Sequence, residues 1–146
     1  MINFEISILI NCPITDVFEY VSDTENDPRW NSEVVGVERI DDCDDELSCK
    51  YRIQRVIGKK RVENIYRVTE YTKNKILTIK TLTGPTPFTY RYSFEPIGTS
   101  TRILLNGKVK DDGLPFKAHA FFAAHMIKLG ATNNFQTLKS ILESKR

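Results

Sequence analysis

A single long amphipathic segment at the end of the chain limits how the rest of it can fold. Residues 115–145 place apolar side chains at intervals of three and four, the spacing of a helix that buries one face. At about 1.5 Å per residue, such a helix runs roughly 45 Å, which is enough to cross a whole sheet. A sheet that packs along it must curve around it, and a curved sheet can enclose a pocket.

Short segments that alternate apolar and polar residues precede this helix, as is typical of strands buried on one face. The first strand is predicted at 2–10, and Pro13 then precedes a short amphipathic helix. The next segment is polar and is predicted to form a second helical turn or loop with Trp30 packed inward. Six more strands are predicted at 34–40, 47–57, 61–71, 76–83, 88–95 and 101–110. Their connections are too short for parallel crossovers, which predicts an antiparallel meander.

Length and charge exclude several classes of protein. The 146 residues are expected to form one domain, 1–146, with one core. The formal net charge is only +2 and no predicted face collects the basic residues, so no nucleic-acid partner is expected. The first ten residues lack both a basic start and an apolar run, which argues against a signal peptide and against integral membrane association. We therefore expect a cytoplasmic protein.

The sequence shows no pattern of a metal or cofactor site. The three cysteines lack C-x-x-C spacing, so we expect reduced structural thiols and no zinc. His119 and His125 are six residues apart and point in different directions from a helix, and the acidic run at 41–46 lacks the glycine and glutamate of a calcium loop. Serine-nucleophile, phosphate-loop and dinucleotide motifs are absent from the sequence. No metal, cofactor or catalytic residue is assigned.

A candidate ligand cavity lies on the face of the sheet that meets the helix. Residues 88–95 alternate four aromatic side chains with polar ones, so one face of this strand is entirely aromatic. Apolar residues of the neighbouring strands and small residues of the helix are expected on the same side, with Asn64 and the tyrosines as polar groups. The predicted cavity residues are Tyr51, Asn64, Tyr66, Leu77, Ile79, Phe88, Tyr90, Tyr92, Leu105, Ala120, Phe121, Ala124 and Ile127.

The start of the long helix is apolar nearly all round. Phe122, Met126 and Leu129 form a second stripe beside the main one. This stripe has two interpretations: a second contact with the core, or a lid over an apolar chamber in which Met126 adapts to the shape of a ligand.

The mouth of the cavity is predicted from the order of the turns. Alternate turns of a meander lie at the same end of the sheet, which places two glycine-containing hairpins beside the start of the helix. The predicted rim residues are Gly58, Lys59, Gly84, Pro85 and Pro115.

Several motifs resemble those of one family. They are VFEYVSD at 17–23, ENDPRWN at 25–31, Gly58, VTE at 68–70, GP at 84–85, GTSTR at 98–102 and LKSILE at 138–143. With the order of the elements, they resemble the START-like superfamily, especially its polyketide cyclase/dehydrase and lipid-transport branch, over nearly the whole chain. The resemblance implies an α+β helix-grip fold, in which a curved antiparallel seven-stranded sheet surrounds a long C-terminal helix and two short helices follow the first strand.

Three functions follow as hypotheses. The first is binding or transport of a small apolar or amphipathic molecule between the sheet and the C-terminal helix. The second is a cofactor-free cyclase or dehydratase that acts on a polyketide-like substrate, with tyrosines as acid–base groups. The third is a protein-interaction module that uses the apolar start of the helix. The superfamily includes carriers, receptors and enzymes, so the fold does not choose among them, and the oligomeric state stays open.

Overall fold

The structure is a computed structural model that describes residues 1–110 and 120–145, without the side chains of Ala120 and Phe121. The strands are β1 (Ile2–Ile10), β2 (Val34–Arg39), β3 (Lys50–Ile57), β4 (Lys60–Thr72), β5 (Ile76–Thr83), β6 (Phe88–Ile97) and β7 (Ser100–Val109). The helices are α1 (Ile14–Ser22), α2 (Asp27–Trp30) and α3 (Ala120–Ser144), and short 3-10 turns cover Thr24–Asn26 and Glu46–Ser48.

The seven strands form one antiparallel sheet in the order β1-β7-β6-β5-β4-β3-β2. The strands β2 to β7 follow one another as neighbours, which confirms the meander. The first strand pairs with the last, and α1 and α2 carry the chain from β1 at one edge to β2 at the other. This is the predicted helix-grip architecture.

Irregular pairings account for the curvature of the sheet. The register shifts between Val34 and Gly36 on β2, and on β4 between Ile65 and Tyr66 and between Val68 and Glu70. A bulge bends its strand and increases the local twist. Between β4 and β5 the extra residue is Thr69 on β4 in one shift and Leu82 on β5 in the other, so both central strands bend around the helix side of the sheet.

The core lies between the concave face of the sheet and the helices. Alternate residues of β1 from Ile2 to Ile10 are buried. From α3, the side chains of Phe135, Leu138 and Leu142 are buried against them, and α2 contributes Trp30, which is 5 % exposed. The inward packing predicted for Trp30 is confirmed.

The expectation of three reduced cysteines is wrong in this structure. Cys43 and Cys49 form a disulfide, while Cys12 is a free, buried thiol. The two paired residues lie in the connection between β2 and β3, which turns back on itself and brings their Cα atoms to 5.3 Å, within the usual range for a disulfide. The spacing of the cysteines in the sequence did not predict that these two would pair.

The start of one strand differs from the prediction. The strand β3 begins at Lys50 rather than at 47, because the Asp45 side chain accepts a hydrogen bond from the Ser48 amide at 3.1 Å and holds residues 46–48 in a 3-10 turn. The predicted start of the long helix at Pro115 lies outside the described residues. In the parts of the chain that are described, no helix is long and apolar enough to cross a membrane.

Candidate functional site

Two adjoining cavities occupy the space on the concave face of the sheet. The first, called the strand cavity, lies over β3 to β6 and is bordered by α2 and the segments on either side of it. The second, called the helix cavity, lies between β6, β7 and the middle of α3. Six residues contribute to both linings and stand where the cavities meet: Trp30, Asn31, Glu33, Arg55, Tyr90 and Tyr92.

Aromatic rings fill most of the space that separates the sheet from the helix. Counted as room for the centres of water molecules, the strand cavity measures about 50 Å³ and the helix cavity about 70 Å³. Each can hold only a few waters. The rings of Trp30, Tyr92 and Phe135 lie 6.3 to 6.5 Å from one another and form the wall between the cavities. In this arrangement of the rings, neither cavity has room for a larger organic molecule.

Arg55 on β3 is the charged group at the centre of this site. It is 6 % exposed, and its Nη2 donates to Asn64 Oδ1 at 2.8 Å and to Thr86 Oγ1 at 2.6 Å. The Nη2 atom also lies within hydrogen-bond distance of the Pro85 and Thr86 carbonyl oxygens, and Nε donates to Asn64 Oδ1 at 3.2 Å. The guanidinium carbon stands 4.8 Å from the centre of the Phe88 ring. All of these partners are neutral.

The turn between β5 and β6 has the backbone geometry that this network requires. Gly84 has φ +100°, and a Cβ there would lie 2.6 Å from Asn64 Nδ2, so only glycine lets the turn approach so closely. The Asn64 amide then donates to the carbonyls of Thr83 and Pro85. Thr86 also has a positive φ, 47°, although it is β-branched, and it is 1 % exposed. Both residues hold acceptors in place around Arg55.

The acidic groups beside Arg55 do not neutralise it through a close ion pair. Among the described residues, no carboxylate oxygen lies within 4.0 Å of the guanidinium. Glu33, at the solvent-open edge of both cavities, interacts with it at longer range; burial raises the pKa of Glu33, and the charge of Arg55 opposes that rise. Burial lowers the pKa of Arg55, an effect opposed by Tyr90 and Glu33.

Asp27, at the start of α2, is the second acidic group in the wall of the strand cavity. Burial and, to a smaller extent, the charge of Asp23 raise the pKa of Asp27 to about 8. Its carboxyl is therefore mostly protonated at pH 7. The only charged side chain deep in this cavity at neutral pH is then Arg55, as far as the described residues show.

The structure brings most of the predicted cavity residues together. The strand cavity is lined by Tyr51, Tyr66, Leu77, Ile79, Phe88, Tyr90 and Tyr92, and the helix cavity by Tyr90, Tyr92, Leu105 and Ile127. Asn64 is fully buried but lines neither cavity, and its Oδ1 atom accepts a hydrogen bond from Arg55. Ala124 is half-buried and lines neither cavity, whereas its neighbour Ala123 is buried. The side chains of Ala120 and Phe121 lie outside the description.

The predicted rim is less well supported. Gly58, Lys59, Gly84 and Pro85 are exposed in their turns and line neither cavity, and Pro115 lies outside the described residues. The linings instead reach half-buried or exposed positions on either side of α2, such as Thr24 and Ser32, and Glu46 in the β2–β3 connection. A mouth at the predicted rim stays a prediction.

The sequence analysis missed Arg55, Asp27 and Glu33. A signal for Arg55 was present, because it continues the alternation of Tyr51 and Ile53 and so falls on the buried face of β3. A charged residue at a buried position of a strand is a reason to suspect a site. Asp27 and Glu33 lie in a polar segment without periodicity, where nothing marked their orientation.

The fold and the internal site define a class of helix-grip proteins. A family model described as "Polyketide cyclase / dehydrase and lipid transport" matches residues 1–143, and the chain belongs to this family. No curated protein sequence matches it.

Solved structures with this fold share little sequence with the chain. A START superfamily protein from Mycobacterium smegmatis has a TM-score of 0.86 at 18 % identity, with 100 % of both chains covered. A protein from Thermus thermophilus has a TM-score of 0.77 at 15 % identity over 98 % of both chains. The Zhui aromatase/cyclase from a Streptomyces species has a TM-score of 0.76 at 12 % identity, with 97 % of this chain and 93 % of that chain covered. At these identities the likeness establishes the fold alone.

Proposed function

We propose that this protein binds a small amphipathic molecule between the sheet and α3, with a negatively charged or strongly accepting group of the molecule at Arg55. Membership of a family described by cyclase/dehydrase activity and lipid transport supports a small organic ligand. The aromatic linings of both cavities support an apolar ligand body.

The observation that carries the proposal is the state of the Arg55 guanidinium. It is buried among neutral acceptors, and no hydrogen-bond acceptor within the described residues faces its Nη1 group. A buried cation without a counter-ion costs several kcal/mol, and an anionic group placed beside it offsets that cost. The Nη1 group still has its N–H donors for an oxygen of a carboxylate or a similar anion.

The neighbouring rings suit the apolar part of such a ligand. Phe88 lies under the guanidinium and 4.7 Å from the Tyr90 ring, so the anion site opens directly onto aromatic surface. Because the two cavities hold only a few waters, binding requires rings such as Tyr90, Tyr92 or Trp30 to rotate and merge them. The ligand then replaces ring–ring contacts with its own.

Two fluorescent probes that differ in one charge test the role of Arg55. They are 8-anilinonaphthalene-1-sulfonate and the uncharged N-phenyl-1-naphthylamine, which have the same aromatic body. We expect Arg55→Gln to weaken binding of the sulfonate about 10- to 100-fold, the range for a hydrogen bond to a charged group, and to leave the uncharged probe nearly unchanged. Equal losses for both probes, or no loss for either, contradict the proposed anion site.

A second pair of variants tests whether the probes bind inside the protein. Ala131 on α3 lines the helix cavity, whereas Ala124, on the same helix, lines neither cavity. Ala131→Trp is expected to reduce the affinity for both probes by blocking the space, and Ala124→Trp serves as the matched control. Thermal unfolding of both variants shows that they are folded. If Ala124→Trp blocks binding and Ala131→Trp does not, the probes bind elsewhere. Native mass spectrometry of protein purified from its own cells then gives the mass of any bound molecule.

A further inference from the structure

Two deeply buried polar atoms of residues that line the strand cavity have no hydrogen-bond partner. They are the hydroxyl of Tyr66, which is 1 % exposed, and the indole Nε1 of Trp30. Neither finds an acceptor anywhere in the described parts of the chain. A buried donor without a partner costs about 1 to 3 kcal/mol, and the great majority of buried polar atoms in native proteins are paired. Two such donors in one cavity indicate that something else occupies their partner position.

Asp27 brings a third polar group to the same cavity. Its carboxyl makes no hydrogen bond or close ion pair within the described residues, and its charge is one of the causes that raise the pKa of Tyr66 and of Tyr92. Asp27 lines the same cavity as both tyrosines. With its own pKa near 8, Asp27 is a donor at pH 7, as are Tyr66 and Trp30.

Tyr66 lies apart from the anion site along the sheet. Tyr66 pairs with Tyr51, which is four residues before Arg55 on β3, so about 13 Å of strand separates the two backbone positions. We propose that Asp27, Tyr66 and Trp30 form a second polar subsite, which binds a carbonyl oxygen of the ligand. This inference rests on the proposed function and adds that the ligand has polar groups toward both ends of its apolar body.

A carbonyl oxygen fits the three groups better than other polar functions. The indole N–H can only donate, and burial keeps the pKa of the Tyr66 hydroxyl well above neutrality, so it donates as well. A carbonyl oxygen has two lone pairs and no hydrogen of its own, so it accepts from two of these donors at once. An ammonium group has no lone pair to offer the indole.

A ketone probe and its analogue without the carbonyl test the subsite. The ketone probe is 6-propionyl-2-(dimethylamino)naphthalene, and the analogue is 2-(dimethylamino)naphthalene. We expect Tyr66→Phe to weaken the ketone about 3- to 10-fold, the loss of one neutral hydrogen bond, without changing the analogue. The emission of the bound ketone should also shift to shorter wavelength, because its carbonyl loses a hydrogen bond. Tyr51→Phe is the matched control, since Tyr51 lines the same cavity and stacks on Tyr66 at 5.3 Å.

The pH dependence tests Asp27 within the same assay. Raising the pH from 6.5 to 9.5 ionises Asp27 and converts it from a donor into an acceptor, so we expect the ketone to bind more weakly at the higher pH. The other titratable groups around Asp27 or in the same cavity are Asp23, Glu33, Glu46, Tyr51, Arg55, Tyr66, Tyr90 and Tyr92. In Asp27→Asn the amide still donates, and the affinity for the ketone should stay constant across this range.

The outcomes separate the subsite from the proposed function. If both probes bind and Tyr66→Phe changes neither affinity nor emission, waters alone satisfy these donors and the subsite is disproved. If Tyr66→Phe weakens both probes equally, its effect is one of packing, which also disproves the subsite. If neither probe binds the unaltered protein, the cavity does not take aromatic ligands and both proposals fail.

Discussion

Arg55 and Asp27 keep polar groups inside one cavity in two different ways. Arg55 remains charged because Asn64, Thr86 and two backbone carbonyls supply acceptors to its Nε and Nη2 atoms. Asp27 has no comparable partner, and it avoids the cost of a buried charge by holding its proton. An aromatic chamber thus contains one fixed cation and one neutral acid at neutral pH, which favours a ligand with an anion at one end.

The raised pKa of Asp27 predicts how the stability of the free protein varies with pH. Between about pH 4 and pH 8 the folded state holds a proton that the unfolded state has lost, so the free energy of unfolding falls as the pH rises through this window. Asp27→Asn removes this dependence. Since the side chain is only half-buried, we expect the variant to be more stable than the unaltered protein by about 1 to 3 kcal/mol at pH 8.5.

Urea unfolding at pH 4, 6 and 8.5 measures this difference. The difference between the two proteins should be small at pH 4, because this is close to the ordinary pKa of an aspartate and little of the proton-linked free energy has developed there. A constant difference at all three pH values would show that the Asp27 carboxyl is hydrated like an ordinary surface acid.

At the scale of the elements, alternation in the sequence was enough to predict every strand and their meander order. The pattern of β6 is an example, because Phe88, Tyr92 and Phe94 on its predicted aromatic face are all buried. Loop chemistry was harder to predict. Two features of the loops were not predicted: the approach of Cys43 to Cys49, and the support of Arg55 by the turn after Gly84. They depend on contacts between segments distant in the chain or on turn geometry, which a two-residue period does not encode. The same holds for Ala123, which packs inward where the helical period favoured Ala124.

The disulfide is expected to stabilise the connection between β2 and β3. It closes a small loop with a sequence separation of six, so its effect on the entropy of the unfolded chain is about 2 kcal/mol. We expect Cys43→Ser, or reduction of the unaltered protein, to lower the free energy of unfolding by about this amount. As the control, adding reductant to Cys43→Ser should cause no further loss of the free energy of unfolding.

Thiol counting shows whether the bond forms in the cell. Protein that is denatured without reductant should show one free thiol per chain, that of Cys12. Disulfides are typical of oxidising compartments, so one thiol argues against the cytoplasmic location that the sequence analysis predicted. Three thiols would instead show that Cys43 and Cys49 are reduced where the protein acts.

At the scale of the whole molecule, the contacts of α3 are unevenly distributed along its length. Its C-terminal half is fixed to the first strand and the residues after it: Lys139 Nζ donates to the Leu9 carbonyl at 2.7 Å, and Glu143 accepts from the Asn11 amide at 2.8 Å. Phe135, Leu138 and Leu142 are buried there, whereas Phe122, Met126 and Leu129 in the first half are 42 to 50 % exposed. The apolar start of the helix is thus exposed on one side in the described structure. The interpretation of Phe122, Met126 and Leu129 as a second contact with the core is therefore wrong.

This asymmetry predicts where the molecule opens to admit a ligand. Ile127, Gly130 and Ala131 line the helix cavity from the side of the weakly packed half of α3, and Asn134 and Phe135 line it further along the helix. Regions with few buried apolar contacts open at lower free energy than the core. We therefore expect amide hydrogens in residues 124–131 to exchange faster than those in residues 135–142, although both segments are helical.

Hydrogen exchange with and without 8-anilinonaphthalene-1-sulfonate measures this opening and its coupling to binding. A ligand that fills the space beneath the first half of α3 should slow exchange in 124–131 and leave 135–142 unchanged, because the second segment is already held by the core. Arg55→Gln, which keeps the cavity walls but loses the anion site, should reduce this protection in proportion to its lost affinity. Equal exchange rates in the two segments of the free protein would instead mean that α3 behaves as one rigid unit, and that a ligand enters on the side of α2 and the β2–β3 connection.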